Sequence, residues 1–336
     1  MKCPLCSADT KIVREALPGF MEGRSYRVRH CVECGTALAD PLSVDPQIYQ
    51  VIYAQAEVVP GYNRYSRYAD EIARQRSPLR YLAGCEESYW GIVSTLERLF
   101  PNRQAAVLEV GCGLGYLTYA LTKAGYRRVL GVDLSQSAVE RARQRYSCDY
   151  IAADIACFAS ETEERFDALI FSEVLEHLED PVGLLSRAKA LLKPGGYLIC
   201  TTPNRSFGGH PQKVWATDLP PVHLWWFTEQ GLQEMAGRLD MQVEFVDYTP
   251  WYRRRARRFA RAWTRSMREE GLPACVLDSA GKPRVAHHTR VKARKWPVLQ
   301  GLRNLLYRVS AGADKARWRS SSTLCAIYRS PRDGLH

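Results

Sequence analysis

Long apolar runs are missing from this chain. No stretch approaches the roughly 18 consecutive apolar residues that a membrane-spanning helix needs. The opening residues, Met-Lys-Cys-Pro-Leu-Cys, lack the basic run followed by an apolar one that marks a secretory signal, so a cytoplasmic location is expected. Internal repeats and long low-complexity tracts are missing too, which argues against a solenoid or an array. Acidic residues are scarce in one place only. Positions 251–320 hold 19 Lys or Arg against 4 Asp or Glu, so the net charge of +11 belongs to that segment and the remainder is mildly acidic. What is present in number is cysteine. Eleven cysteines in a chain without an export signal read as reduced thiols and metal ligands rather than disulfides.

With 336 residues, 46% hydrophobic and 25% charged, there is room for one α/β domain with smaller attachments. Residues 1–40 contain two Cys pairs and little apolar content. Residues 41–100 have helical character rich in Tyr and Trp, including Tyr62, Tyr65, Tyr68, Tyr81, Tyr89 and Trp90. From about residue 105 strand-like runs at 106–110, 129–132, 168–171 and 197–200 alternate with helical stretches such as 135–146 and 182–192. This alternation predicts a parallel sheet covered by helices. Lys193-Pro194-Gly195-Gly196 reads as a helix stop and turn. A helix near 228–238, a strand near 242–248, the basic segment and a last strand near 322–328 complete the pass.

The most specific signal is Val107-Leu-Glu109-Val-Gly111-Cys-Gly113-Leu-Gly115-Tyr, between a predicted strand and a predicted helix. Its GxGxG spacing differs from the GxGxxG of dinucleotide sites. Glu109 precedes the glycines, where an acid suits a ligand with a cationic amino-acid tail better than a pyrophosphate. Asp133 ends the second strand, a position from which it can accept hydrogen bonds from ribose hydroxyls, and Leu134 follows it. Asp154 and Ile155 fall at the next strand end. Asp154 suits an adenine amino group with Ile155 on the ring, and equally suits a helix N-cap. Ser172-Glu173-Val-Leu-Glu176-His177 then places carboxylates and a histidine at a fourth strand end.

This set resembles the class I methyltransferases across about residues 85–250 plus the last strand. The overall pattern is similar to ubiquinone-biosynthesis, sugar and natural-product O-methyltransferases. The resemblance implies a Rossmann-like α/β fold, a seven-stranded sheet whose last strand is antiparallel and sits beside the fifth. It implies S-adenosylmethionine as cofactor, bound by Glu109, Gly111, Gly113, Gly115, Asp133, Leu134, Asp154, Ile155 and Ser172. A small-molecule, sugar or lipid-linked glycan hydroxyl is the expected acceptor. Its proton needs a base, for which His177 and His223 are the candidates, with Glu173 and His210 behind them. His223-Leu-Trp225-Trp226-Phe227 also reads as a core cluster around an orienting histidine.

Cys3-Pro-Leu-Cys6 and Cys31-Val-Glu-Cys34-Gly form two CxxC knuckles, followed by Ser7 and Gly35 at positions that suit tight turns. Four thiolates so spaced can close a tetrahedron around a structural Zn²⁺. The remaining cysteines read as small buried hydrophobes. The domain plan is a zinc ribbon at 1–40, a helical lid or linker at 41–100, a cofactor-binding domain at 101–250 with 321–330, and a basic helical insertion at 251–320. In the insertion Tyr252, Ala256, Phe259, Ala260, Trp263 and Met267 share a stripe flanked by arginines, and a second stripe runs from Trp296 to Val309. Such a surface over 251–310 suits an anionic membrane, a nucleic-acid backbone in an RNA methyltransferase, or a solvated cap.

Overall fold

The computed structural model describes residues 1–206, 218–252, 275–284 and 321–331. The arginine stripe, the stripe beginning at Trp296, and His210 lie outside the described residues.

The N-terminal segment folds as an antiparallel meander: β1 (Thr10–Pro18), β2 (Ser25–Cys31) and β3 (Ala37–Asp40). β1 alternates little and is mostly exposed, as an edge strand of a small sheet tends to be. Four helices follow. α1 (Pro46–Ala54) starts at Asp45, whose carboxylate accepts from the Gln47 N–H at 3.0 Å, with Pro46 in the first turn. α2 (Asn63–Glu71) and α3 (Pro78–Cys85) carry the tyrosines of an edge-to-face network with Tyr89 and Tyr116. α4 (Glu87–Leu99) lies against the main sheet, and Gly91 lets it approach so closely that a Cβ there would stand 2.6 Å from the Tyr248 hydroxyl.

The main sheet is built from β4 (Ala106–Val110), β5 (Arg128–Asp133), β6 (Asp149–Ala152), β7 (Phe166–Ser172), β8 (Leu192–Pro203), β10 (Gln242–Phe245) and β11 (Thr323–Arg329). The intervening elements are α5 (Tyr116–Lys123), α6 (Gln136–Arg145), α7 (Ile155–Glu161), α8 (Pro181–Ala188), β9 (Trp225–Trp226) and α9 (Glu229–Leu239). Spatial order is β10-β11-β8-β7-β4-β5-β6, with β11 antiparallel to both neighbours and next to β8, as the resemblance implies. β4 is buried at all its positions, the condition of a central strand covered on both faces. The Lys193–Gly196 stop is a bulge and not a strand boundary. β8 begins at Leu192, and between the pairs Phe166↔Leu192 and Ala168↔Tyr197 the extra residues loop out through Gly195 at φ +72°.

The cysteine-bearing segment is continuous with the rest. β9 adds to its sheet, pairing Leu38 with Trp225 and Ala37 with Trp226. Cys3, Leu5, Phe20 and Leu38 share one hydrophobic cluster with Trp225, Leu232 and Met235. The described part of the expected insertion, Cys275–Arg284, is not helical: Val276 and Leu277 donate backbone hydrogen bonds to the Phe20 carbonyl, and Arg284 pairs with Glu22. Cys157 is exposed and Cys85 and Cys148 are half-buried, so only Cys112, Cys200, Cys275 and Cys325 fit the reading as buried hydrophobes.

Candidate active site

The carboxyl ends of β4, β5, β6 and β7 open onto a cleft of 1420 Å³ that α1, α2 and the β8 end close from above. Gly111 and Gly113 line it. Gly113 stands at φ +49° with open space where a Cβ would project. Gly115 does not face the cleft. It caps α5 at φ +74°, and a Cβ there would meet Ala142 and the Tyr150 ring at 2.7 Å, so helix–sheet packing demands a glycine here. Asp133 is buried and holds the loop: its Oδ2 accepts from the Gly113 N–H at 2.7 Å and its Oδ1 from the Ser135 N–H at 2.8 Å. Each oxygen keeps a lone pair for a ribose hydroxyl. Glu109 accepts from the Thr118 hydroxyl at 2.5 Å, and its burial pushes its pKa up to about 8.

Asp154 takes the helix-cap role and also lines the cleft. Its Oδ1 caps α7, accepting from the Ala156 and Cys157 N–H groups at 2.8 and 3.3 Å, and the residue lines the cleft beside buried Ile155. Leu134 forms the rim at 76% exposure, and Ser172 lines the cleft opposite.

The second half of the cleft is built from the turn after β7. Glu173 sits at φ +55°, a costly conformation for a non-glycine residue, held by its N–H donating to the Thr201 carbonyl at 3.1 Å. The next residues wind into a 3₁₀ turn, Leu175–His177. Glu176 is fully buried, and neither carboxylate oxygen finds a hydrogen-bond partner among the described residues. The same holds for Glu173 Oε1 and His223 Nδ1. His177 Nδ1 lies 2.6 Å from the Val222 carbonyl and so carries the proton, leaving Nε2 as an acceptor. The His177 and His223 rings meet edge-to-face at 4.6 Å, and His223 Nδ1 lies 3.8 Å from Asp218 Oδ1. Burial pushes the Glu173 carboxyl up to about 7 and Glu176 well above the carboxylate range. It pulls His177 down to about 4 and His223 well below the usual imidazole value.

The three expected bases all line this cleft, and His177 and His223 are in contact. Arg64, Tyr49, Tyr53, Tyr62, Tyr65 and Asp218 complete their surroundings, and of these the sequence singles out only Tyr62 and Tyr65, without a role in the site. Tyrosine enrichment at 41–100 was the only signal. Trp225, Trp226 and Phe227 are buried, with Trp225 Nε1 donating to the Leu178 carbonyl at 2.7 Å, as the core-cluster reading requires.

The four N-terminal cysteines converge. Cys3 and Cys34 sulfurs stand 3.9 Å apart, Cys6 and Cys31 sulfurs 3.3 Å, and all four lie within 4.8 Å of one another. Tetrahedral Zn–S bonds of about 2.3 Å place sulfurs about 3.8 Å apart, so this donor set fits Zn²⁺. Both knuckles make the same turn: Ser7 and Gly35, at φ +64° and +70°, donate to the Cys3 and Cys31 carbonyls.

Comparison with known proteins agrees with this geometry. Residues 86–244 match a family model described as a methyltransferase domain. The chain is 41% identical over 117 residues to a ubiquinone biosynthesis O-methyltransferase of Coxiella burnetii, covering 33% of this chain and 49% of that protein. It is 38% identical over 104 residues to the protein of the same description from Bradyrhizobium diazoefficiens, covering 30% and 41%. The chain thus spans about half or less of the length of these relatives. Among solved structures it is similar to a SAM-dependent methyltransferase from Archaeoglobus fulgidus (TM-score 0.42, 14% identity, 71% of this chain and 93% of that one). A magnesium protoporphyrin IX methyltransferase from Synechocystis gives TM-score 0.42 at 18% identity, over 60% and 92%. Residues 86–244 thus form a methyltransferase domain of the class I, S-adenosylmethionine-dependent type.

Proposed function

We propose that this protein transfers the methyl group of S-adenosylmethionine to a hydroxyl of a small-molecule acceptor, with a sugar or lipid-linked glycan within the class. The carrying observation is one continuous cleft, with Gly113, Asp133 and Asp154 at one end and the Glu173–Glu176–His177–His223 cluster at the other. The cofactor supplies an electrophilic methyl on a sulfonium. In this reading Asp133 accepts from the ribose hydroxyls, Asp154 and Ile155 take the adenine, and buried Glu109 acts electrostatically on the amino-acid end. Oxygen–methyl bond formation as the sulfur–methyl bond breaks leaves the electron pair on sulfur and a hydroxyl proton to be taken up by Glu173, His177 or His223. Tyr49, Tyr53, Tyr62 and Tyr65 wall the space beside them and suit a ring-bearing acceptor. The zinc ion we infer for the four cysteines is structural, because four thiolates complete its coordination.

The test is incubation of purified protein and isotopically labelled S-adenosylmethionine with fractionated extracts. Label entering soluble metabolites or lipid, with S-adenosylhomocysteine released, supports the reading. Label entering only RNA or protein, or no turnover with any fraction, overturns it.

A further inference from the structure

α1 lies across the cleft with one end over each half. Tyr49 and Tyr53 are four residues apart, so they share a face of the helix, and both line the cleft. Tyr49 belongs to the acceptor half: its hydroxyl donates to the Val222 carbonyl at 3.0 Å, and its ring meets His177 edge-to-face at 6.1 Å. Tyr53 belongs to the cofactor half: burial, with Asp133 nearby, pushes its phenol well above the usual range, so it stays a donor. The two ends of the helix are held by opposite charges from opposite halves. At the start, the Val44 N–H donates to Glu179 Oε1 at 2.7 Å, and Glu179 follows His177 in the turn after β7. Asp45, the helix cap, also pairs with Arg24 at 2.8 Å. At the finish, Arg141 Nη1 donates to the Tyr53 carbonyl at 3.0 Å, and its Nη2 lies 3.6 Å from Glu57 Oε1. Arg141 sits on α6, the helix whose entry Asp133 and Ser135 shape. The Tyr53 carbonyl is in the last turn of α1, where no backbone N–H of the helix reaches it, and α1 has no basic residue of its own there. A carboxylate at the start and a guanidinium at the finish both complement the helix dipole.

We propose that α1 is a strap joining the two halves of the site, and that Arg141 and Glu179 are the positioning residues that hold Tyr53 against the cofactor's ribose and Tyr49 against the acceptor. A ribose hydroxyl both donates and accepts, so it fits between Asp133, an acceptor, and the Tyr53 phenol, a donor. A helix of 9 residues moves as one body, so the two tyrosines rise and settle together. The cofactor leaves when the strap lifts, and the same motion takes Tyr49 off the acceptor wall. The acceptor is therefore held best once the cofactor is in place, an order that suits a transfer needing both reactants aligned in one cleft. Glu179 is the informative residue, because it stands at the acceptor end and yet controls cofactor release. The role given to Tyr49 rests on the proposed methyl transfer, whereas the hold on the cofactor rests on the cofactor end of the cleft alone.

The experiment follows release of tritiated S-adenosylhomocysteine from the full-length protein, chased with excess unlabelled compound. Arg141→Gln and Glu179→Ala should each speed release about two- to fivefold, the effect of one charge at a helix end, and the double variant by the product of the two. Hydrogen exchange at amides 51–55, slowed by S-adenosylhomocysteine in the wild type, should be faster in both single variants with the compound bound. Neither Glu179 nor Arg141 is buried, so both variants should fold. The proposal is overturned if Glu179→Ala releases the compound like the wild type, since α1 would then answer only to its cofactor end. It is overturned equally if release quickens in Glu179→Ala while exchange at 51–55 stays unchanged. A wild type that does not bind S-adenosylhomocysteine at all would sink the methyl-transfer reading and the strap with it, whereas intact binding with unchanged release sinks the strap alone.

Discussion

Glu109 and Asp133 are two acids at adjacent strand ends, and their surroundings give them different work. Asp133 is engaged by two backbone N–H groups that belong to the glycine loop and the α6 entry, so it shapes the site whether or not a ligand is present. Asp133→Ala removes both anchors along with the ribose acceptor. Hydrogen bonds to a charged group are worth about 1.5–3 kcal/mol each, so S-adenosylhomocysteine affinity should fall at least about tenfold by calorimetry. Glu109 is different, because desolvation leaves it largely protonated at neutral pH, with a pKa of about 8. A cationic tail brought near it favours the carboxylate, so binding at pH 7 should release a proton. Calorimetry in two buffers of different ionisation enthalpy measures this directly. Release should approach one proton at pH 7 and fade as the pH passes the free-protein pKa. Equal heats in both buffers at pH 7 would show that the carboxyl does not sense the ligand. Gly115 makes a third residue-scale case. Gly115→Ala combines a left-handed φ with a 2.7 Å approach to Ala142 and Tyr150, and should cost about 1–3 kcal/mol in denaturant unfolding.

At the scale of elements, the junction between the cysteine knuckles and α9 is tighter than either sequence segment implies. The Thr228 hydroxyl caps α9 by accepting from the Gly231 N–H at 3.0 Å, and it donates to the Cys34 carbonyl at 2.5 Å. One side chain therefore ends a helix and ties down a knuckle. Thr228→Val should lower stability by about 1–2 kcal/mol, the range of a lost N-cap. Gly231→Ala should do more, since its Cβ would fall 1.9 Å from Thr36 Oγ1 and force the two elements apart. The same junction marks where the sequence stops being legible. Local patterns were readable: the burial of 106–110, the glycine loop, the acids at strand ends and the CxxC pairs all carry their signal within a few residues. β9 could not be read that way. Trp225 and Trp226 look like core residues, and only their long-range pairing with Leu38 and Ala37 makes them a strand. Glu176 is legible only as an acid at a strand end, and it takes the fold to bring His223 across to it. The packing role of Gly115 was hidden for a related reason: a motif gives the spacing of its glycines, but what each Cβ would strike depends on α6 and β6.

For the whole molecule, what matters is that the hydrophobic cluster does not respect the boundary at residue 40. Cys3, Leu5, Cys31 and Cys34 are in the same buried cluster as Leu232, Met235 and Tyr328. Folding of a segment too poor in apolar residues for its own core is then coupled to the sheet domain, and a metal ion on its cysteines should be felt across the whole chain. Removal of zinc by a strong chelator should therefore lower the melting temperature of one cooperative transition. It should not produce a labile N-terminal transition followed by an unchanged later one. Cys6→Ser should shift the same single transition in the same direction and lower whatever zinc content the purified wild type carries. S-adenosylhomocysteine at about 100 times its Kd should restore about 2.7 kcal/mol to either sample, because it binds only the folded chain. Calorimetric scans resolve the alternatives. Two transitions, of which only the first responds to zinc and only the second to S-adenosylhomocysteine, would mean that the shared cluster does not couple the knuckles to the cofactor site. A single transition responding to both would make the N-terminal segment an integral wall of the methyltransferase domain, which is what β9 pairing and the Thr228 link require.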